Sequence, residues 1–411
     1  MNQSISKTSV LNKQYRLFEF LCCLVYFTSY ITRINFGAVV AEITLAEGYT
    51  KSAISVVVFM SFISYGAGQL VSGYLGDKIS PYKLILAGFL ATSTCNLLIP
   101  VSNSISVMSA IWFVNGLAQA MMWPPLLKLI TRYVPDEMYS RVTANVSSAA
   151  SVGTIFVYLA APMFIRAGSW RYLFFFCAAV GFLIALLWLF AVPRITAKLP
   201  DILPMQTASV SKENVSLGSI FKKYGLVFIC IAIVLQGAIR DGINTWLPSC
   251  VTEVFHIEAA ASILASVALP IFSIVSFKLF AWIQRRFIQN EASFSAILFA
   301  GCTVLSIAWA LTFAVSPVLS IVQAALIIGL IHGINLMLIS ILPKRFAATG
   351  KVSFISGLLN FFTYVGSALS TYGMARLSEL FGWQMTIITW GLIAAAGLVM
   401  CVVCMKKFKK A

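Results

Sequence analysis

Acidic residues are scarce in this chain: 13 Asp and Glu among 411 residues, against 29 Lys and Arg, with charged residues of both signs making up only 10%. Soluble domains carry about 25% charged and about 45–50% apolar residues. This chain is 60% apolar, with a mean hydropathy of +0.92. So few charges cannot coat a water-facing surface, which excludes a soluble globular domain. The net charge of +16 does not point to nucleic acid, because the basic residues sit between apolar runs rather than in one patch. Histidine occurs twice. The nine Cys lie mostly inside apolar runs (Cys22, Cys23, Cys95, Cys177, Cys230), with no CxxC repeat or framework spacing. No metal site is readable from such a set, and the Cys read as small buried hydrophobes. A Walker A sequence is also lacking, which argues against ATP drive. An enzyme and a bound cofactor are therefore not expected.

What is present is a series of long apolar runs. A helix crossing a bilayer needs about 20 apolar residues. Runs of that kind are read near 17–41, 52–76, 84–101, 106–130, 142–165, 171–193, 224–249, 259–283, 292–314, 318–341, 353–376 and 383–405. The first is too long for a signal peptide, whose apolar region is about 7–15 residues. One long polar stretch, 194–223, carries Pro200, Pro204, Ser209, Ser211 and Lys212 and divides the runs into six and six. The expected architecture is all-α: twelve transmembrane helices in two six-helix bundles, 1–193 and 224–411, joined by the loop 194–223.

Basic residues orient the chain. With the N-terminus inside, 22 of them fall on the cytoplasmic side. Four fall outside (Lys51, Arg166, Arg171, Arg376), and three lie within spans (Arg33, Arg240, Lys278). A multi-pass cell-membrane protein with both termini cytoplasmic is expected. The halves also repeat. At one offset of 213 residues, Gly116-Leu117 matches Gly329-Leu330, Arg132 matches Arg345, Val152-Gly153 matches Val365-Gly366, and Trp170 matches Trp383. Two parallel repeats of six spans describe the major facilitator architecture, whose substrate site lies near the midplane.

Two charges stand where lipid-facing chemistry forbids them. Arg33 lies 17 residues beyond Arg16 at the start of the first span, and Arg240 lies 17 beyond Lys223 at the start of the seventh. At 1.5 Å per residue both are about 25 Å in. A buried Arg costs at least about 2.5–3.5 kcal/mol on insertion scales. As a pair, the two planar forks suit a phosphate or carboxylate gripped in two contacts each. The competing reading pairs each Arg with a protein carboxylate, and Asp241 is the only acidic residue deep in a span. Tyr26 and Tyr30 are one turn apart, and Tyr30 is one turn before Arg33, so they share a face. They serve either as substrate contacts or as packing. His332 and Asn335, in the tenth span, are read as a substrate or proton contact or as a satisfied interior pair. Lys278 snorkels toward the cytoplasmic face or contributes to the site.

Several segments resemble the organophosphate:phosphate antiporters, the bacterial glycerol-3-phosphate and hexose-phosphate exchangers of the major facilitator superfamily. Gly73-Tyr-Leu-Gly-Asp77-Lys78 looks like the superfamily's loop motif, although Ile79-Ser80-Pro81 departs from it. Arg33-Ile-Asn35-Phe36 is similar to the exchangers' Arg-x-Asn-Phe. Trp123-Pro124-Pro125 with Lys128, Arg240-Asp-Gly242 with Trp246-Leu-Pro248, Pro343-Lys344-Arg345, and Gly366-Ser367 leading to Gly382-Trp383 resemble their further motifs. The resemblance implies Arg33 and Arg240 as phosphate ligands, with Asn35 and Lys128 in the same motifs. It also implies exchange by rocking of the halves, with Gly73, Asp77 and Lys78 at the gate. Relative to the glycerol-phosphate exchanger, a Lys is replaced by Ile34, an Asp by Thr245, a His by Ala150 and a Lys by Gln69, and Trp282-Ile-Gln-Arg285-Arg286 lacks the motif's Asp. The expected partners are a small anion, organophosphate or carboxylate, with inorganic phosphate or a proton as counter- or co-substrate, in a lipid bilayer and without nucleic acid. A proton-coupled symporter of a sugar acid and a transporter-like sugar-phosphate sensor remain as rivals. A multidrug exporter is disfavoured, because mid-membrane Arg residues attract anions.

Overall fold

The structure, a computed structural model, describes residues 2–49, 51–202, 221, 225–257 and 268–409. Most of the 194–223 loop, and 259–267 of the span read at 259–283, lie outside the described residues. Within them the chain is all-helical: α1 (Asn2–Glu47), α2 (Lys51–Lys78), α3 (Pro81–Leu98), α4 (Ile105–Ala120), α5 (Trp123–Tyr133), α6 (Asp136–Arg166), α7 (Arg171–Thr196), α8 (Leu226–Phe255), α9 (Ala268–Arg286), α10 (Glu291–Thr312), α11 (Pro317–Asn335) and α12 (Val352–Lys409). Eleven of the described segments are long and apolar enough to cross a membrane.

Prolines and glycines break the helices at specific places. The span read at 106–130 is two helices, α4 and α5, meeting at Met121-Met122. Pro124 and Pro125 have no N–H to return to the preceding turn, so the α-helix cannot run through. The tenth span leaves α-geometry after Asn335, passes through a π-helical turn at Leu336–Ile341, and tightens to 3₁₀ over Leu342–Thr349. Pro343 falls at that transition. α12 carries both the eleventh and twelfth spans, and bends at Gly382 (φ 77°, ψ 176°), a conformation that a side chain would strain.

The chain forms two compact bodies, Met1–Ser209 with Phe346–Leu358, and Val210–Arg345 with Leu359–Ala411. In the first, α1 packs on α6 and α7, α2 on α4, and α3 on α4 and α7. Phe36, Trp112, Trp170 and Phe174 interlock at its apolar centre. Beside them lies a buried polar network. Ser29 Oγ donates to Gln119 Oε1 (2.7 Å), and Gln119 Nε2 donates to Thr32 Oγ1 and Thr92 Oγ1 (both 2.8 Å). Asn96 and Asn115 donate to the Thr32 carbonyl (2.9 and 3.3 Å), and Asn35 Nδ2 donates to Asn96 Oδ1 (2.6 Å). Interhelical hydrogen bonds in lipid are worth about 0.6 kcal/mol each, up to about 1.7. Their larger effect here is orientation: with Ser29, Thr32 and Asn35 turned into the bundle, the rotation of α1 is fixed.

In the second body α8 packs against α11, and glycines bring it against α12. A Cβ at Gly237 would lie 2.2 Å from the Thr363 carbonyl oxygen, one at Gly366 1.9 Å from that of Val234, and one at Gly242 2.5 Å from Ser370 Oγ. Backbones this close need hydrogen at those positions. Gly366→Val is therefore expected to cost at least about 1–3 kcal/mol by overpacking. Detergent-extracted Gly366→Val should show a lowered melting temperature by fluorescence size-exclusion. A wild-type melting curve would contradict this contact.

Candidate functional site

α1 is committed to the bundle interior through Thr32 and Asn35, so Arg33, about 100° further round than Thr32, leaves the network. Its guanidinium lies between two tyrosine rings, 4.3 Å from the centroid of Tyr30 on α1 and 4.5 Å from that of Tyr65 on α2. Each such contact contributes about 0.5–2 kcal/mol. Stacking engages the two faces of the planar fork and leaves its N–H groups directed around the edge. Tyr30 packs edge-on against Tyr26 (5.3 Å between centroids), and Tyr26 against Trp123 (4.7 Å). Trp123 is buried where α5 begins, and its indole N–H has no hydrogen-bond partner among the described residues.

Arg240 has a different setting. Its Nε and Nη2 donate to Oδ1 and Oδ2 of Asp241, the next residue, at 2.7 and 2.8 Å. The two side chains keep 15% and 27% of their surface exposed. The glycine contacts between α8 and α12 bring Tyr364 and Ser367 to the pair: the Tyr364 ring centroid lies 5.7 Å from the Arg240 guanidinium carbon, and the Ser367 hydroxyl is within hydrogen-bonding reach of Asp241. On the α11 side, Gln236 Nε2 donates to the Ile331 carbonyl (3.5 Å). The next residue of α11, His332, is close enough to Arg240 and Asp241 for their charges to act on it. His332 packs edge-on against Phe277 (5.1 Å). Asn335 is half-buried at the end of α11, where the π-helical turn starts, a distortion often found at functional positions.

At the C-terminal end of α2, the Asp77 carboxylate accepts from the backbone N–H of Ser353 (3.1 Å) and of Phe354 (2.8 Å), the first turn of α12. Lys128 lies 3.5 Å from the same carboxylate and donates to the carbonyls of Gly76 (2.9 Å) and Asp77 (3.2 Å). A Cβ at Gly73 would sit 2.8 Å from the Ser353 carbonyl oxygen, so this glycine allows the close approach. Lys78 turns outward and bonds to Tyr74.

The residues singled out in the sequence thus fall into groups. Tyr26, Tyr30 and Arg33 are brought together. Arg240 and His332 are brought together, with Asp241, on the other body. Asp77, Gly73 and Lys128 meet at the α12 N-terminus, where Lys128 is engaged with the end of α2. Asn35 is fully buried and bonded to Asn96, an interior tie rather than a member of the arginine clusters. Lys278 is exposed on α9. Sequence reasoning did not select Tyr65, Trp123, Tyr364 or Ser367 as site residues. Tyr65 lies one turn before Gln69, a fully buried amide with neither polar atom partnered among the described residues. A polar residue at that depth in a span was the available signal.

The family described as the Major Facilitator Superfamily matches residues 22–371. The chain is 25% identical over 408 residues to the glycerol-3-phosphate transporter of Bacillus subtilis (strain 168), covering 92% of this chain and 90% of that protein. It is 23% identical over 380 residues to the membrane sensor protein UhpC of Salmonella typhimurium, covering 88% and 84%. Among solved structures, the major facilitator transporter FucP superposes with a TM-score of 0.75 at 13% identity, over 95% of this chain and 99% of that one.

Proposed function

The chain belongs to the Major Facilitator Superfamily, and from that premise we propose that it carries a small organic anion, an organophosphate exchanged for inorganic phosphate by alternating access, with Arg33 and Arg240 as the anion's ligands. The observation that carries this reading is the placing of two arginines at equivalent depths of the first and seventh spans. A charge there is retained at a cost of several kcal/mol, and a dianion repays it through charge-assisted bonds. The stacking of Arg33 on Tyr30 and Tyr65 supports the same reading, since it presents a pre-oriented fork. The names of the relatives point to phosphorylated solutes as well, one as transporter and others of hexose phosphate and phosphoglycerate. Replacement of the exchanger's flanking charges by Ile34, Thr245, Ala150 and Gln69 leaves the anion grip and alters its surroundings. The organic part of the substrate therefore need not be glycerol.

Reconstituted protein is expected to take up labelled glycerol 3-phosphate or phosphate into vesicles loaded with phosphate, several-fold faster than into unloaded ones. Equal rates into both would overturn exchange. Binding without any flux would favour the sensor reading that the UhpC likeness raises.

The same reading puts both termini and the 194–223 loop in the cytoplasm, following the distribution of basic residues. A Met205→Cys variant, at a position outside the described residues, should be labelled by a membrane-impermeant maleimide only after the cells are opened. Labelling in intact cells would contradict the division into two parallel halves.

A further inference from the structure

Arg240 and Asp241 are adjacent in sequence, and adjacent residues on a helix point about 100° apart. Their side chains nevertheless curl together into a two-contact pair, 2.7 and 2.8 Å, while both stay partly open. The Nε–Nη2 edge that Asp241 holds is one of the edges with which a guanidinium grips phosphate. The Arg33 guanidinium lies between the Tyr30 and Tyr65 rings. Asp241 stands beside the arginine itself in the sequence.

We propose that Asp241 is a tethered counter-anion: it occupies Arg240 when no substrate is bound, the incoming anion displaces it, and the released carboxylate takes one proton from water. This rests on Arg240 being an anion ligand. Two anions competing for one fork in a low-dielectric setting cannot both keep their charge cheaply, and the carboxylate that loses its partner is neutralised by protonation. The step balances: one O–H bond of a water molecule breaks, leaving hydroxide in the medium, one O–H bond forms on Asp241, and the proton recombines with hydroxide when the anion leaves. The groups acting on Asp241 are Arg240 on α8, His332 on α11 and Ser367 on α12, with the Tyr364 ring against Arg240, so His332 is the alternative proton acceptor. During exchange one proton enters with one anion and leaves with the other. Net uptake, by contrast, would draw on a proton gradient.

The test uses the full chain in detergent, inorganic phosphate as probe, and a pH indicator in weakly buffered solution at about pH 8.5, where phosphate is itself a dianion. Wild type should take up about one proton per phosphate bound. Asp241→Asn should bind phosphate about tenfold tighter and take up none, while His332→Gln, whatever its affinity, should still take up about one proton per phosphate bound. Phosphate binding by wild type without proton uptake would overturn the inference, whether or not the variants fold. Proton uptake that persists in Asp241→Asn and disappears in His332→Gln would overturn it as well. Absence of phosphate and glycerol 3-phosphate binding to wild type would overturn the anion reading itself, and the inference with it.

Discussion

Arg33→Lys and Arg240→Lys should each leave a folded, monodisperse protein that binds phosphate about ten- to a thousandfold more weakly. Lysine keeps the positive charge, so attraction by charge alone would survive the change. A bidentate grip would not, because an ammonium has no two coplanar donors in a fixed fork. Hydrogen bonds to charged groups contribute about 1.5–3 kcal/mol each, and every 1.4 kcal/mol is about tenfold in affinity. The surroundings make the two losses different in kind. At position 33 the planar group that Tyr30 and Tyr65 enclose is replaced by a rounder one that stacks less well. At position 240 the Lys remains beside Asp241, which can satisfy it fully and keep it from substrate. Folding is checked by size-exclusion and binding by thermal shift with phosphate. A folded Arg240→Lys with wild-type affinity would remove the anion grip as the reason for a charge at that depth.

Asp77→Ala is expected to slow exchange about tenfold while changing phosphate affinity little. Asp77 receives two N–H groups from the first turn of α12, in the place of an N-cap, a position whose loss costs about 0.5–2 kcal/mol. Favourable interaction of the carboxylate with the positive end of the helix adds to this. Lys128 binds both the carboxylate and the last carbonyls of α2, and Gly73 and Gly76 let Ser353 come near. A contact of this kind stabilises whichever conformation contains it and shifts the balance between states by that amount. Its members lie at the end of α2 and the start of α12, while the proposed anion ligands are on α1 and α8, so turnover should respond more than binding. Wild-type exchange by Asp77→Ala would leave the carboxylate as a surface group worth under about 1 kcal/mol.

The helices were legible because lipid imposes a single pattern: each apolar run of about 20 residues had to become a span. The interruptions were not. Pro124-Pro125 marks a break in retrospect, but a proline in a span can also be accommodated by local rearrangement, and the π-helical turn after Asn335 has no signature in sequence spacing. Arg33 and Arg240 stood out since a charge in an apolar run is expensive wherever it points. Their partners were harder to foresee. Tyr65 comes from another helix, and aromatic residues are common in spans, so its stacking on Arg33 depends on how α1 and α2 are rotated. The rotation of α1 is set by the buried network of Thr32, Asn35, Asn96, Asn115 and Gln119, whose members look in sequence like any polar residue near a substrate path. Asn35 shows the difficulty: it lies in the Arg-x-Asn-Phe segment, two residues from Arg33, and its amide is bonded to Asn96 in the interior. Asp241 was legible as the one deep carboxylate, and its curl onto the neighbouring arginine was not, because residues i and i+1 ordinarily diverge.

The central claim is that one anion is held by Arg33 and Arg240 together, and a double-mutant cycle on phosphate binding tests it most directly. Wild type, Arg33→Lys, Arg240→Lys and the double variant would be titrated by thermal shift under one set of conditions. If both forks grip one anion, removing the first leaves less for the second to contribute, and the double variant loses less binding free energy than the two single losses added. Strictly additive losses would contradict the account and give the two arginines separate roles, one binding the anion and the other serving as Asp241's partner.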